Sequence, residues 1–403
     1  MTRTICNTGQ GVLCIEDFRE FKVVFDCGSL TKPPKDIIDV FFSRTDYVKA
    51  VFISHLDADH VNCLCYLINF CHVERVFIPL ISDEEYVIVQ CRNLKSGGKN
   101  LVDFVDMLRS GRAPKDQTRV VTVRPTPLSG GNEQDINNES FNISRNMDDD
   151  RKSINSGTEV VFSGFGYKGE SSKDRRIEQN WVFQPFNFYY PKNHTTLMRE
   201  LKYLGFNVDD MDSIPHEIAK RISDKCLFTM IKGIYKFDLA GSINSNSMVV
   251  YSGARCTNTG CHPVGIHFYV NHHCAHHCDW CRMYHSHISD KASWDDFFKC
   301  GCLYTGDFDA NGSKKWTSLK ERYKDYWNNI GLMQLPHHGS RYSFNREIAM
   351  MNAIFFVCAG YRNAYGHPHD SVVNFMQLTG NPFYWVNEEP ISCLEFEIDC
   401  SSL

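Results

Sequence analysis

The chain has 403 residues, of which 42% are apolar and 13% aromatic, a composition that excludes a disordered or collagenous polymer. Its length supports one large domain with insertions, and no run of about 18 apolar residues offers a membrane span. With 43 basic and 48 acidic side chains the formal charge is −5, which excludes a surface coated in positive charge but leaves clusters such as Lys173-Asp174-Arg175-Arg176 and Lys320 to Lys324 for local phosphate contacts.

The start, Met1-Thr2-Arg3-Thr4-Ile5-Cys6-Asn7, lacks an apolar stretch of signal-peptide length, so a cytoplasmic location is expected. Runs rich in Val, Ile and Phe then predict strands at Gly11 to Ile15, Phe21 to Phe25 and Val48 to Ile53. Directly after the last of these stands Ser54-His55-Leu56-Asp57-Ala58-Asp59-His60, four metal-binding side chains in six residues. A strand ending in a tight loop points His55 and Asp57 to one side and Asp59 and His60 to another, so one short segment can serve two adjacent cations. Neutral imidazole with carboxylate suits Zn²⁺, Mn²⁺ or Fe²⁺. Asn62 to Phe70 has helical apolar spacing, and Arg75 to Ile78 returns as a strand. The pattern is that of a layered α/β domain.

From 101 to 238 the pattern is irregular, and this stretch reads as an insertion subdomain. Within it, Gly130 to Gly157 is dominated by Asn, Asp, Ser and Gly and reads as a loop; Leu197, Leu201 and Leu204 share a helical face, and Pro215 with Glu217 to Ile222 suggests a second helix. Trp181, Phe183, Phe186, Phe188, Tyr189 and Tyr190 form either a core patch or a stacking platform for bases. Strands resume at Met248 to Ser252, Cys302 to Thr305, Gly331 to Leu335, Ala353 to Cys358, Tyr384 to Val386 and Cys393 to Ile398. Between the first two lies an insert, 254–300, crowded with cysteine and histidine. There Cys256, Cys261, Cys274, Cys278 and Cys281, with a histidine able to replace one of them, are the ligand set for a structural zinc that ties down a loop too small for its own core. The spacing Cys274-x₃-Cys278-x₂-Cys281 also fits an iron–sulfur cluster. Elsewhere, Cys14, Cys27, Cys63, Cys65, Cys71, Cys358 and Cys393 sit inside apolar segments and read as buried thiols.

Further pieces join the opening motif: Gly9-Gln10-Gly11, Val24-Phe25-Asp26-Cys27-Gly28, Tyr304-Thr305-Gly306-Asp307, Leu335-Pro336-His337-His338-Gly339-Ser340 and Tyr365-Gly366-His367-Pro368-His369. Together and in this order they resemble the metallo-β-lactamase fold, most closely its ComEC-type branch (the nuclease domain of a competence protein), over roughly residues 1 to 80 and 243 to 395. The resemblance implies one domain over 1–403 with a four-layer αββα sandwich. It implies one or two divalent ions, Zn or Mn, with His55 and Asp57 on the first, Asp59 and His60 on the second, Asp307 bridging, and His367 completing the second site. His338, with His337 beside it, would give a proton to the leaving oxygen, and Asp59 would help to deprotonate the attacking water. Asp26 would orient a ligand histidine. Asp57 stands where many members of the superfamily have histidine, and Ser247 lies near the place of an absent third ligand, so the first site is expected to be the weaker one.

The function implied is a metal-dependent phosphodiesterase cleaving nucleic acid, DNA above RNA; such a nuclease would suit defence against foreign DNA alongside partner proteins. Two other classes stay open. One is hydrolysis of a small phosphodiester, cyclic nucleotide, lactone or thioester. The other is a non-enzymatic docking or nucleic-acid-binding module built on the Cys/His insert.

Overall fold

The computed structural model describes residues 1–127, 139–143, 149–165, 179–189, 202–207, 247–255, 265–270 and 299–399, with Arg199, Ile214 and Glu217 singly. The first third lays down β1 (Thr2–Ile5), β2 (Cys14–Asp17), β3 (Lys22–Phe25), β4 (Tyr47–Phe52), β5 (His72–Val73), β6 (Arg75–Pro79) and β7 (Arg119–Arg124), with helices α1 (Pro34–Phe41), α2 (Ala58–Val61), α3 (Leu64–Phe70) and α4 (Asp83–Arg109). The middle adds β8 (Thr126–Pro127), β9 (Ser140–Ile143), β10 (Ser153–Asn155), β11 (Glu159–Phe165), β12 (Gln179–Phe186) and β13 (Phe188–Tyr189). The last part supplies β14 (Val249–Ala254), β15 (Gly265–Val270), β16 (Gly301–Tyr304), β17 (Ile330–Gln334), β18 (Ile354–Cys358), β19 (Phe383–Val386) and β20 (Leu394–Asp399), with α5 (Ser313–Arg322) and α6 (Asp370–Leu378).

These strands form two large sheets. One runs β10-β7-β6-β4-β3-β2-β1-β20-β15, with β5 on β4; the other runs β19-β18-β17-β16-β14-β12-β11-β9. Successive strand side chains point to opposite faces, and the sequence uses both. In β3 and β4, Val23, Phe25, Ala50 and Phe52 enter a core that both sheets share, while Val24, Val51 and Ile53 enter a second core with Ile37 and Ile38 of α1, Leu64 and Leu67 of α3, and Phe104 and Leu108 of α4. The other sheet repeats the pattern. Leu332, Ile354 and Phe356 face the shared core, and Met333, Phe355 and Val357 face a third core with Trp316 and Leu319 of α5 and Val372 and Met376 of α6. Strands buried on both faces read as continuous apolar runs, and this is why those segments were visible in the sequence.

A polar network crosses the shared core. Arg3 and Glu16, opposite each other on β1 and β2 and only 1% and 2% exposed, pair at 2.9 Å. Glu16 also accepts from the Tyr304 hydroxyl (2.8 Å) and from Ser252 Oγ (2.7 Å), and Ser252 accepts from Trp181 Nε1 (2.8 Å). Two residues of one sheet, Ser252 and Tyr304, thereby bind the carboxylate of a buried ion pair on the other, and Trp181 holds Ser252.

Within the stretch 101–238, read from sequence as an insertion subdomain, the described parts join α4 and the two sheets. Residues 101–109 finish α4, β7 and β10 extend the first sheet, and β9, β11 and β12 extend the second. Trp181, Phe183, Phe186 and Phe188 are buried in the cores rather than presented to solvent. Cys14, Cys27, Cys63, Cys71 and Cys358 are buried, whereas Cys65 and Cys393 are partly exposed. Among the described residues no helix is long and apolar enough to cross a membrane.

Candidate metal centre

The site forms where parallel strands of the two sheets end side by side. In the first sheet β3 and β4 are parallel, so Asp26 after β3 and Ser54 to His60 after β4 emerge at one edge. In the second sheet β16, β17 and β18 are parallel and deliver Asp307, then His337 and His338, then the 359–369 loop. β14 runs antiparallel to β16, and therefore its leading residue Ser247 arrives beside Asp307, whose backbone N–H donates to Ser247 Oγ at 2.9 Å.

Close backbone approaches hold this edge together. Val12 N–H donates to Asp59 O and Cys27 N–H to His60 O (3.1 and 2.8 Å), which brings Gly28 against the metal loop. A Cβ on Gly28 would lie 2.4 Å from the Asp59 carbonyl carbon, so only glycine fits. Gly306, at φ 51, packs in the same way on Ser54 and Ser247.

His60 is fully buried. Its Nδ1–H donates to Asp26 Oδ2 at 2.7 Å, and Asp26 is held in turn by Ser54 N–H (2.7 Å) and Ser54 Oγ (2.8 Å). That bond leaves Nε2 as the lone-pair nitrogen, and Nε2 faces Asp307 Oδ1 at 3.4 Å and Asp59 Oδ1 at 4.0 Å with no hydrogen bond of its own. His338 is likewise fixed through Nδ1, but its Nε2 lies within hydrogen-bond distance of Asp59. Its backbone is left-handed (φ 52), its Nδ1–H donates to Cys358 O at 2.6 Å, and its Nε2 faces Asp59 Oδ2 (3.2 Å) and Asp307 Oδ1 (3.5 Å). His55 Nε2, also buried without a hydrogen bond, lies 3.4 Å from Asp57 Oδ2 and 3.6 Å from Asp307 Oδ2. Its Nδ1 is near Ser54 Oγ (3.0 Å) and Ser247 Oγ (3.4 Å). His337 Nε2 lies 3.5 Å from Asp307 Oδ2, with Nδ1 at 3.0 Å from Ser343 Oγ.

Lone pairs aimed at carboxylate oxygens repel unless something positive lies between them. Burial works against ionising Asp307, yet His337, His338, His55 and His60 hold its carboxyl well below the usual carboxylate range. Burial alone would lower His338; Asp307 and Asp59 overcome it and bring the imidazole up to about 9. The arrangement therefore demands cations, supplied as protons on the histidines or as a metal ion. Two sets of ligand atoms converge closely enough to hold an ion: His55 with Asp59 and His60, and His60 with Asp307 and His338. Imidazole and carboxylate donors of this kind suit Zn²⁺, Mn²⁺ or Fe²⁺.

The groupings differ from the expected pairing. Among the described residues His55 converges with Asp59 and His60 as well as lying 3.4 Å from Asp57, and His338 stands beside His60 and Asp307, where His367 was expected. The left-handed turn at His338, anchored on Cys358 O, carries its ring into the cluster. His367 packs with its ring centroid 5.6 Å from that of His337 and 6.4 Å from that of His338, and its Nδ1 is buried without a hydrogen bond. Burial, then the neighbouring His337 and His338, push its pKa down to about 4.

Several site residues had no signal in the sequence. Ser54 bridges Asp26 and the histidines, and Arg92 on α4 reaches Asp57 Oδ2 at 2.6 Å. Tyr365, 65% exposed, stacks on His367 with centroids 5.9 Å apart. The five cysteines expected to hold a structural zinc, Cys256, Cys261, Cys274, Cys278 and Cys281, lie outside the described residues, as do the helices expected around Leu197 and Pro215 apart from isolated positions. No family model matches this chain, and no curated protein is significantly similar to it.

Proposed function

We propose that the chain is a metal-dependent phosphodiesterase that cleaves nucleic acid, DNA in the first instance, on a four-layer sandwich of the metallo-β-lactamase kind, closest to the ComEC-type branch. The observation that carries this reading is the convergence of His55, Asp59, His60, Asp307 and His338 at the strand edge, with Nε2 of His55 and His60 buried, facing carboxylates and without a hydrogen bond. The three cores support the fold assignment, because helices back both sheets and the two sheets share the middle. An ion held there would activate water and take up charge on the displaced oxygen.

The chain's own groups have defined tasks in that reaction. Asp59 accepts the water proton at the carboxylate edge that faces His338 and His60. His338 holds a proton at Nε2 and delivers it to the leaving oxygen. Asp26, fully buried, keeps the His60 ring and tautomer fixed. The substrate class is supported by the rim. Tyr365, Tyr342 (68% exposed) and Tyr361 (46% exposed) sit on the loops after β17 and β18, with Arg341 over the Tyr342 ring at 4.7 Å. Tyr365 stacks on His367 near the centre, and an exposed aromatic ring there would suit stacking of unpaired bases.

Labelled single- and double-stranded DNA incubated with Mn²⁺ tests the reading. Cleavage by the wild type, lost in Asp307→Asn, is the expected result. Hydrolysis of a small ester or cyclic nucleotide with intact DNA would replace it by the small-substrate reading.

A further inference from the structure

We infer that Arg92 is a built-in cation that takes the place of a second metal ion beside Asp57, so that the centre holds one divalent ion rather than two. The inference rests on the metal-centre reading above and adds the stoichiometry of that centre. Asp57 belongs to the densest metal-binding motif in the sequence and is 4% exposed, yet neither converging ligand set includes it. Its Oδ2 is instead 2.6 Å from the Arg92 guanidinium.

The pairing is held from both sides. Arg92 lies on α4, which starts from a capping box between Ser82 and Glu85. The next residue, Asn93, is fully buried and donates from Nδ2 to Leu56 O at 2.7 Å, one residue before Asp57. Two neighbouring residues of one helix turn therefore grip the backbone and the carboxylate of consecutive loop residues. Burial pushes the Asp57 carboxyl up, and Arg92 is the largest influence that brings it back below its ordinary value. A divalent ion on an aspartate oxygen sits at about 2.0–2.2 Å, so an ion on the Asp57 carboxylate, even at Oδ1, would be a second positive group on a side chain whose Oδ2 already faces the guanidinium at 2.6 Å. A guanidinium is always charged and neutralises a buried carboxylate as well as an ion does. The other cation positions, among His55, Asp59, His60, Asp307 and His338, are left for the single ion.

Manganese titration followed by electron paramagnetic resonance counts the ions, and Mn²⁺ avoids the cysteines that would take zinc. Wild type is expected to bind one Mn²⁺ per chain with a mononuclear six-line spectrum. In Arg92→Ala the count rises to two, with an exchange-coupled spectrum, and Arg92→Met, which keeps more of the side-chain volume, does the same. Adding Asp57→Asn to either variant returns the count to one, because the second ion depends on the freed carboxylate. Two coupled ions in the wild type, or one ion in both Arg92 variants, would overturn the inference. No bound ion in any of them would sink the metal centre and the inference together. One bound ion without any DNA cleavage would defeat the phosphodiesterase reading and leave this stoichiometry standing.

Discussion

At the residue scale the centre is a contest between lone pairs and carboxylates, and each side chain has a separable task. Asp26 reaches the centre directly through His60 Nδ1 at 2.7 Å and indirectly through Ser54. Asp26→Asn is expected to weaken Mn²⁺ binding about 10- to 100-fold, the usual effect of removing a carboxylate behind a ligand histidine, and the same titration reads it. His338 stands where a ligand or a proton donor would stand. His338→Gln is expected to keep the ion within a few-fold and lose about 10²–10⁴ of the turnover rate, the range for a general acid. Loss of the ion in that variant would make His338 a ligand instead. The contiguous motif from His55 to His60 was legible because four donors in six residues need no folding to be seen. Which donors converge was not, since it depends on the left-handed backbone of His338 and on Arg92, 35 positions away from Asp57 in sequence, reaching back across the fold.

At the scale of elements, the metal loop is held by its neighbours more than by its own turn. Gly28 lies so close to the Asp59 and His60 backbone that Gly28→Ala forces the loop outward, and a cost of about 1–3 kcal/mol is expected from overpacking. Urea unfolding measures it, and reduced ion binding should accompany it. The cap of α4 gives a comparison distant from the metal loop. Ser82→Ala removes the acceptor for Glu85 N–H and is expected to cost about 0.5–2 kcal/mol with the ion count unchanged. The strands β3, β4, β6, β16, β17 and β18 were legible because they are apolar on both faces. β1, Thr-Arg-Thr-Ile, was not, since a buried arginine in a frame strand contradicts every composition rule until Glu16 is placed opposite it. α4 was missed for the opposite reason: Gly97 and Gly98 interrupt its spacing, and the chain bends there at φ 68.

At the scale of the whole molecule, the two sheets are joined by packing, by the Arg3–Glu16 network and by the contacts of the candidate metal centre. Glu16→Ala would leave the Arg3 guanidinium buried without its carboxylate and is expected to cost about 3–5 kcal/mol, as breaking a buried pair does; a lowered urea midpoint at constant slope is the check. Within 101–238 the strands that extend both sheets were the least legible part. β20 has a further consequence. It lies inside the first sheet between β1 and β15, and Thr2 pairs with Glu397 across nearly the full length of the chain. Contacts of such sequence separation form slowly. On the ribosome, β1 must wait with one ladder edge open until residue 399 has emerged, and His55 to His60 are made long before Asp307 and His338 can join them. An unfinished product stopped before Leu394 would carry an unpaired strand edge on β1 although all of its convergent donors had been made, a natural substrate for chaperones and proteases.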